Sequence, residues 1–289
     1  MATEMPECPT YPCGPPRFKV IRHEKEKQLQ IQLIRSATLV VSFAGHTLLV
    51  DPMLGSAGSM DPIENSPNSR RNPLVELPFD AQTLESLLAR IDAVVVTHTH
   101  RDHWDPRAIE LLPKRMPILC QPEDAARIRS DGFAEVLPID ARRMWRDIEL
   151  IRTGGRHGTG EIGRQMAPVS GFTLRAAGEG TLYIAGDTIF CPEVEEALLK
   201  HQPDVTVVNA GAARFLVGDP IVMTAWDVVR VCLTLPTTRV IAVHLEALNH
   251  CPLTRDELQE TLREEGLLQQ VEIPEDGAVI DAPSPTAQA

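Results

Sequence analysis

The alternation of apolar and polar residues predicts a strand-rich first part of the chain. From Gln28 onward, three β-rich runs follow one another, LQIQLIR, TLVVSF and TLLVDP, and the short turn at 44–46 predicts a hairpin between the last two. Residues 52–80 are then rich in Gly, Ser, Asn and Pro. A loop of that length without a periodicity of its own is usually functional or mobile.

Beyond residue 80 the pattern alternates between helices and strands. Helical patterns cover residues 82–90, 106–113, 122–131, 192–201, 224–234 and 254–265. Apolar runs typical of strands cover residues 93–98, 117–120, 134–138, 148–153, 172–177, 181–186, 205–210 and 240–245. Thr224 with Asp227, and Thr254 with Glu257, have the spacing of capping boxes at helix starts. Strands that alternate with helices predict a layered α/β fold.

Length and composition set the domain organisation. Apolar residues make up 43% of the 289-residue chain, which is enough for a sizeable core. The length fits one large domain or two fused halves of similar size. We expect an irregular arm at 1–27, one domain at 28–277 and a flexible tail at 278–289.

Charge and apolar content also limit the partners. The net charge of −12 argues against a nucleic-acid partner, whose phosphates require a basic surface. No apolar stretch of about 18 residues and no signal-like N-terminus occur, so we expect a cytoplasmic protein without stable membrane insertion. The six cysteines form no C-x-x-C pair and are expected to be reduced, mostly buried thiols. Homo-oligomerisation stays open.

Four side chains that can bind metals lie together after the apolar run AVVV, namely His98, His100, Asp102 and His103. In an extended chain His98 and His100 point to the same side, and a turn after the strand can bring the other two towards them. A polar surface loop is the alternative, but three of the nine histidines fall in this segment. Imidazole and carboxylate together suit zinc, manganese or iron better than calcium or magnesium.

This segment resembles the HxHxDH signature of the metallo-β-lactamase superfamily. Four further segments resemble later or earlier motifs of that family: LLVDPML at 48–54, TGGRHGTG at 153–160, YIAGDT at 183–188 and VHLEALNH at 243–250. The resemblance implies a four-layer αββα sandwich. The chain looks most similar to the branch that contains ascorbate-6-phosphate lactonase and N-acyl-phosphatidylethanolamine phospholipase D.

Carried over by position, the resemblance implies two divalent ions, with zinc expected first and manganese or iron as alternatives. The first ion would be held by His98, His100 and His157, the second by Asp102, His103 and His244, and Asp187 would bridge them. His157 lies in a Gly-rich segment that could also be a simple turn. Asp187 follows an apolar strand and could instead cap the next helix.

The last ligand and the supporting residues are less sharply defined. His250 is the rival of His244 for the last ligand position, and we prefer His244 as ligand with His250 in the pocket. Asp51 is expected to orient a ligand imidazole through a hydrogen bond. It could equally be a turn aspartate before Pro52.

The implied chemistry is hydrolysis by a metal-activated hydroxide. Asp102 would orient the hydroxide, and His250 would protonate the leaving group. A net positive site favours an anionic small-molecule substrate, with Arg156, Arg214 and Asn209 as predicted contacts. We expect a lactone or phosphoester of a small metabolite. The alternatives are a phosphodiesterase acting on a lipid or nucleotide, and a non-catalytic metal-binding protein, although structural zinc sites are usually Cys-rich.

Overall fold

Two seven-stranded sheets form the body of the protein in a computed structural model that describes residues 29–282. The first sheet contains β1 (Gln30–Arg35), β2 (Thr38–Phe43), β3 (His46–Val50), β4 (Ala93–Val96), β5 (Ile118–Cys120), β6 (Val136–Pro138) and β14 (Val279–Asp281). The second contains β7 (Arg142–Trp145), β8 (Ile148–Thr153), β9 (Gly171–Arg175), β10 (Leu182–Ile184), β11 (Val205–Asn209), β12 (Arg239–Val243) and β13 (Val271–Glu272). The spatial orders are β14-β1-β2-β3-β4-β5-β6 and β13-β12-β11-β10-β9-β8-β7.

Seven short helices lie outside the sheets within the described residues, and six of them pack on the outer sheet faces. They are α1 (Ala81–Leu88), α2 (Pro106–Leu111), α3 (Ala125–Ser130), α4 (Gly160–Gln165), α5 (Pro192–His201), α6 (Ala225–Thr234) and α7 (Arg255–Glu264), with a 3-10 turn at Pro122–Asp124. Within the described residues no helix is long and apolar enough to cross a membrane. Both predicted capping boxes are present, at Thr224 and at Thr254.

Three apolar layers hold the fold together. Side chains from the inner faces of the two sheets, such as Leu33 and Ile241, form the central layer. Helices α1 to α3 pack on the first sheet, and α5 to α7 pack on the second. All four residues of β4 are buried, as expected for a strand covered on both faces. The predicted αββα sandwich is therefore confirmed.

Four short elements were missed by the sequence patterns, namely β7, β13, β14 and α4. The exposed edge strand β7 has the polar sequence RRMW, and α4 buries no residue, so neither shows a periodic apolar face. The predicted flexible tail is wrong for residues 279–281, because β14 pairs antiparallel with β1 and buries Ile280. Its pairing satisfies backbone groups at the edge of the first sheet. The predicted arm at 1–27 and residues 283–289 lie outside the described range.

The long loop at 52–80 is fixed by buried polar groups rather than by secondary structure. The fully buried Arg35 donates hydrogen bonds to the carbonyl groups of Met53, Gly55 and Val75. Asp105 accepts from the backbone N–H groups of Leu54 and Gly55 and also caps α2. Because a buried guanidinium or carboxylate without hydrogen bonds costs free energy, these contacts define the path of the loop beside the site.

Candidate metal centre

Every predicted ligand follows the end of a strand, and these ends meet at one edge of the sandwich. The HxHxDH segment follows β4, His157 follows β8, Asp187 follows β10 and His244 follows β12. Loops at such strand ends commonly carry binding groups in α/β folds. The structure brings all seven side chains into two adjacent groups, His98, His100 and His157 in one, and Asp102, His103, Asp187 and His244 in the other.

The first group consists of three imidazoles in close contact. Nδ1 of His100 lies 2.9 Å from Nε2 of His98 and 3.3 Å from Nε2 of His157. Nδ1 of His157 lies 2.8 Å from the carbonyl oxygen of Ile221. A neutral His157 therefore donates from Nδ1 and presents the lone pair of Nε2 to the group. Converging lone pairs of this kind suit a divalent transition metal.

The second group combines two carboxylates with two imidazoles. Oδ2 of Asp102 lies 3.4 Å from Nε2 of His103 and 3.2 Å from Nε2 of His244. Nε2 of His103 is fully buried, yet none of its neighbours in the described residues has the geometry of a hydrogen bond. A buried nitrogen without a partner is costly, and a cation at the centre of the group would satisfy it. The residues present thus fit a metal ion.

Asp187 is shared by the two groups. Its Oδ2 lies 3.2 Å from Nε2 of His103 and 3.6 Å from Nε2 of His157. Its Oδ1 accepts a 2.7 Å hydrogen bond from Nδ2 of Asn209. Asn209 was predicted to contact substrate, but it is buried and orients this carboxylate instead. The signal missed was that Asn209 ends β11, the strand next to β10, which leads into Asp187.

The charges of the metal-free site are strongly coupled. Burial lowers the pKa of His103, but Asp187, Asp102 and Asp51 outweigh it and hold the pKa well above its ordinary value. Burial lowers the pKa of His244 too, but Asp187, Cys251 and Asp102 together outweigh it and hold the pKa well above its ordinary value. Burial raises the pKa of Asp102 and Asp187, yet His103 and His244 together overcome it and hold both pKa values well below the ordinary range. Metal ions would replace the protons on these histidines.

Two further residues orient the ligand imidazoles. Asp51 accepts hydrogen bonds from the backbone N–H and the hydroxyl of Thr97, and its Oδ2 lies 2.9 Å from Nδ1 of His103. This is the geometry expected of a carboxylate that fixes a ligand tautomer. The Sγ atom of Cys251 lies 3.5 Å from Nδ1 of His244. Sequence reasoning missed this contact, because a single cysteine carries no sign of its neighbour.

His250 does not join either group. His244 directly follows β12 and has a left-handed backbone conformation with φ of 66°, and its imidazole belongs to the second group. His250 is buried nearby, and its Nδ1 has no hydrogen-bond partner among the described residues. Burial lowers the pKa of His250 to about 4, so the ring is uncharged at neutral pH. This charge state disfavours His250 as a proton donor.

Neither predicted arginine contact lines the cleft that reaches Asp102, and Arg156 lies with His157 on a separate cavity. Arg156 is about half exposed and forms an ion pair with Glu193 at 2.9 Å. The side chain of Arg214 is exposed to solvent. The cleft that reaches Asp102 is lined instead by Met60, Asp61, Ile63, Asn72, Arg101 and Leu248. Arg101 is the arginine that lines this cleft within the described residues.

Comparisons with known proteins agree with this geometry. The family model described as a β-lactamase superfamily domain matches residues 46–245. The UPF0173 protein YddR of Bacillus subtilis is 36% identical and covers 86% of this chain and 98% of its own length. An isothiocyanate hydrolase from Delia radicum gut bacteria is 38% identical, with a TM-score of 0.82 and coverage of 87% of this chain and 98% of the other. A possible metal-dependent hydrolase from Veillonella parvula is 35% identical, with a TM-score of 0.84 and coverage of 88% and 99%. The chain therefore belongs to the β-lactamase superfamily, among close relatives described as hydrolases.

Proposed function

We propose that this metal-dependent hydrolase adds water to a small, uncharged isothiocyanate. The observation that carries the hydrolytic site is the position of Asp187, whose Oδ2 lies within 3.6 Å of ligand nitrogens from both groups. A carboxylate shared in this way suits a pair of cations. The 38% identity to an isothiocyanate hydrolase along nearly its whole length supports the substrate class.

The proposed ligands are the seven residues of the two groups. His98, His100 and His157 would hold one ion, Asp102, His103 and His244 the other, and Asp187 would lie between them. Zinc suits this donor set, and manganese and iron are alternatives that also accept imidazole and carboxylate. When bound, such ions lower the pKa of water and polarise the group under attack.

The reaction needs little from the protein beyond positioning. Water adds to the central carbon of the N=C=S group, the C–N bond breaks, and both protons of the water end on nitrogen, giving a primary amine and carbonyl sulfide. We propose that Asp102, which lines the cleft, orients the attacking water through its carboxylate. His250 would serve as an uncharged hydrogen-bonding partner, since its lowered pKa leaves it neutral.

The lining of the cleft favours an uncharged substrate over an anionic one. Met60, Ile63 and Leu248 present apolar surface beside Asp102. Asp61 also lines the cleft, and its charge is balanced by an ion pair with Arg71. An anion would need cations to replace its hydration, and Arg101 is the single cation among the described residues that line this cleft, where Asp61 and Asp102 also lie.

A lactone or phosphoester is the second candidate. It corresponds to the resemblance to the ascorbate-6-phosphate lactonase branch. The observation in its favour is Arg101, an exposed cation on the cleft whose side chain forms no ion pair with any described residue. A phosphate or carboxylate group of a substrate could pair with it. A phosphodiester of a lipid or nucleotide would use the same contact.

The test measures metal content and product together. Purified protein is stripped with a chelator and reloaded separately with Zn²⁺, Mn²⁺ or Fe²⁺, and the metal per chain is determined by elemental analysis. Release of primary amine from allyl isothiocyanate is then followed beside a γ-lactone and a p-nitrophenyl phosphodiester. We expect about two ions per chain and amine release as the fastest reaction.

Two variants separate the site from the rest of the surface. Asp187→Ala removes the shared carboxylate and should lose one ion per chain and nearly all amine release. Asp140→Ala removes an exposed carboxylate outside the cluster and should match the wild type. Metal-loaded wild-type protein that cleaves the lactone or phosphodiester but releases no amine would establish the second candidate instead.

A further inference from the structure

Asn249 locks the long loop to the segment that follows β12. Its Oδ1 accepts hydrogen bonds from the N–H of Ile63 and Nδ2 of Asn72, and its Nδ2 donates to the carbonyl groups of Ile63 and Asn68. Its backbone N–H donates to Oδ1 of Asn72, and its carbonyl accepts from Nδ2 of Asn68. Both Asn249 and Asn72 are 2% exposed. The side chain of Asn249 therefore has its hydrogen-bonding capacity filled by the loop.

These bonds place three apolar side chains around one cleft. Met60 pairs with Asn72 through two backbone hydrogen bonds, Ile63 is held by Asn249, and Leu248 is the preceding residue. Met60 and Leu248 are buried and Ile63 is half-buried. All three line the cleft that ends at Asp102. An apolar cleft adjoining the ligand groups has walls set by a rigid polar network rather than by a mobile loop.

We infer that this cleft receives the organic substituent of the substrate, and that Ile63 and Leu248 set the largest substituent accepted. The identity of the reacting group rests on the proposed function, whereas the apolar subsite rests on the cleft itself. Asn249 acts as a positioning residue, because it holds Ile63 through both backbone groups without lining the cleft. Burial of apolar substituent surface supplies the binding energy.

The size of the cleft limits the substituent. The space open to a water-sized molecule is about 20 Å³, which is room for about one small group such as a methyl. The outer part of the cleft is open to solvent, so the remainder of an allyl, benzyl or naphthylmethyl group would extend towards solvent. Replacing Ile63 with Ala removes three carbon atoms from the wall and should admit correspondingly longer groups.

The test uses a probe that needs no turnover. Straight-chain alkyl hydroxamic acids of increasing length are titrated into the zinc-loaded full chain by calorimetry, because the hydroxamate binds metal and the tail samples the cleft. We expect Kd to fall about 4-fold for each methylene until the cleft is full, and then to level off. Ile63→Ala should move this break about two carbons further, and Ile63→Phe should move it to shorter tails. Leu216→Ala, an exposed leucine on a neighbouring loop, is the matched control.

The outcomes separate this inference from the proposed function. A Kd that does not depend on tail length, or a break that stays at the wild-type length in both Ile63 variants, overturns the subsite. Amine release from allyl, benzyl and naphthylmethyl isothiocyanates is measured on the same preparations. If no isothiocyanate is hydrolysed while the break still moves with Ile63, the subsite stands and the proposed substrate is replaced. If the Ile63 variants change both the tail length at the break and the substituent preference in amine release, the result supports both the subsite and the proposed substrate.

Discussion

Replacing Asn249 with Ala tests whether the wall of the cleft is built by hydrogen bonds. The change removes four side-chain hydrogen bonds and leaves the buried amide of Asn72 without a partner at Nδ2. Each bond contributes about 1 kcal/mol to the free energy of unfolding, and water can replace some of them where the loop is partly exposed. We therefore expect a loss of about 2–4 kcal/mol. In a domain of this size that corresponds to a decrease in Tm of about 5–15 °C.

The loop could also open without unfolding of the whole domain, so two assays are needed. Thermal unfolding reports the global loss, and limited trypsin digestion reports local opening at the exposed Arg70 and Arg71. Asn249→Asp should not rescue either readout, because its second carboxylate oxygen would face the carbonyl groups that Nδ2 now contacts. Gln269→Ala, which removes an exposed amide, serves as the control. Equal Tm and equal protease resistance in Asn249→Ala and the control would refute the reasoning.

Three further predictions concern the ligand groups. A Cβ at Gly211 would lie 2.3 Å from the carbonyl oxygen of His244. We therefore expect Gly211→Ala to displace His244 and to lower bound zinc from about two ions per chain to about one. Retention of two ions would contradict this prediction. Asp51→Ala frees the His103 ring and should weaken zinc about 10- to 100-fold in a chelator competition, and unchanged affinity would contradict this. The pKa values of His103 and His244 are raised in the metal-free site, where the carboxylate of Asp187 favours the protonated rings. Zinc should then release about two protons per chain, seen with an indicator dye, and bind more weakly as the pH falls; no proton release would disprove this.

The main features of the fold could be predicted because they depend on local pattern. The strand AVVV, the helix beginning at Thr254 and the strand before Asp187 each carry their signal within a few residues. The edge strands β7 and β14 could not be predicted in the same way. They are short and partly exposed, so their pairing with a neighbour defines them more than their own side chains do.

The candidate ligands could be proposed from sequence for a chemical reason. Only a few side chains bind transition metals, so the cluster after β4 that begins at His98 stands out by itself, whereas the role of Asp187 was implied by the family resemblance. The direction in which a long side chain points cannot be predicted from the sequence in the same way. Arg156 lies next to His157, yet its guanidinium is held by Glu193, which is 37 residues further along the chain. The position of Arg156 beside His157 in the sequence therefore does not bring its guanidinium to the cleft.

The cleft is the feature hardest to predict from the sequence, because the apolar residues in its wall need only have about the right size. Any large aliphatic residue could stand at Ile63 or Leu248, whereas few residues could replace His103. The contact that shapes the cleft joins Asn72 to Asn249, which are 177 residues apart. No local sequence pattern predicts that two asparagines so far apart will form a hydrogen bond. On the proposed subsite, we expect related proteins that accept other substituents to differ at residues 60–63 and 248–249.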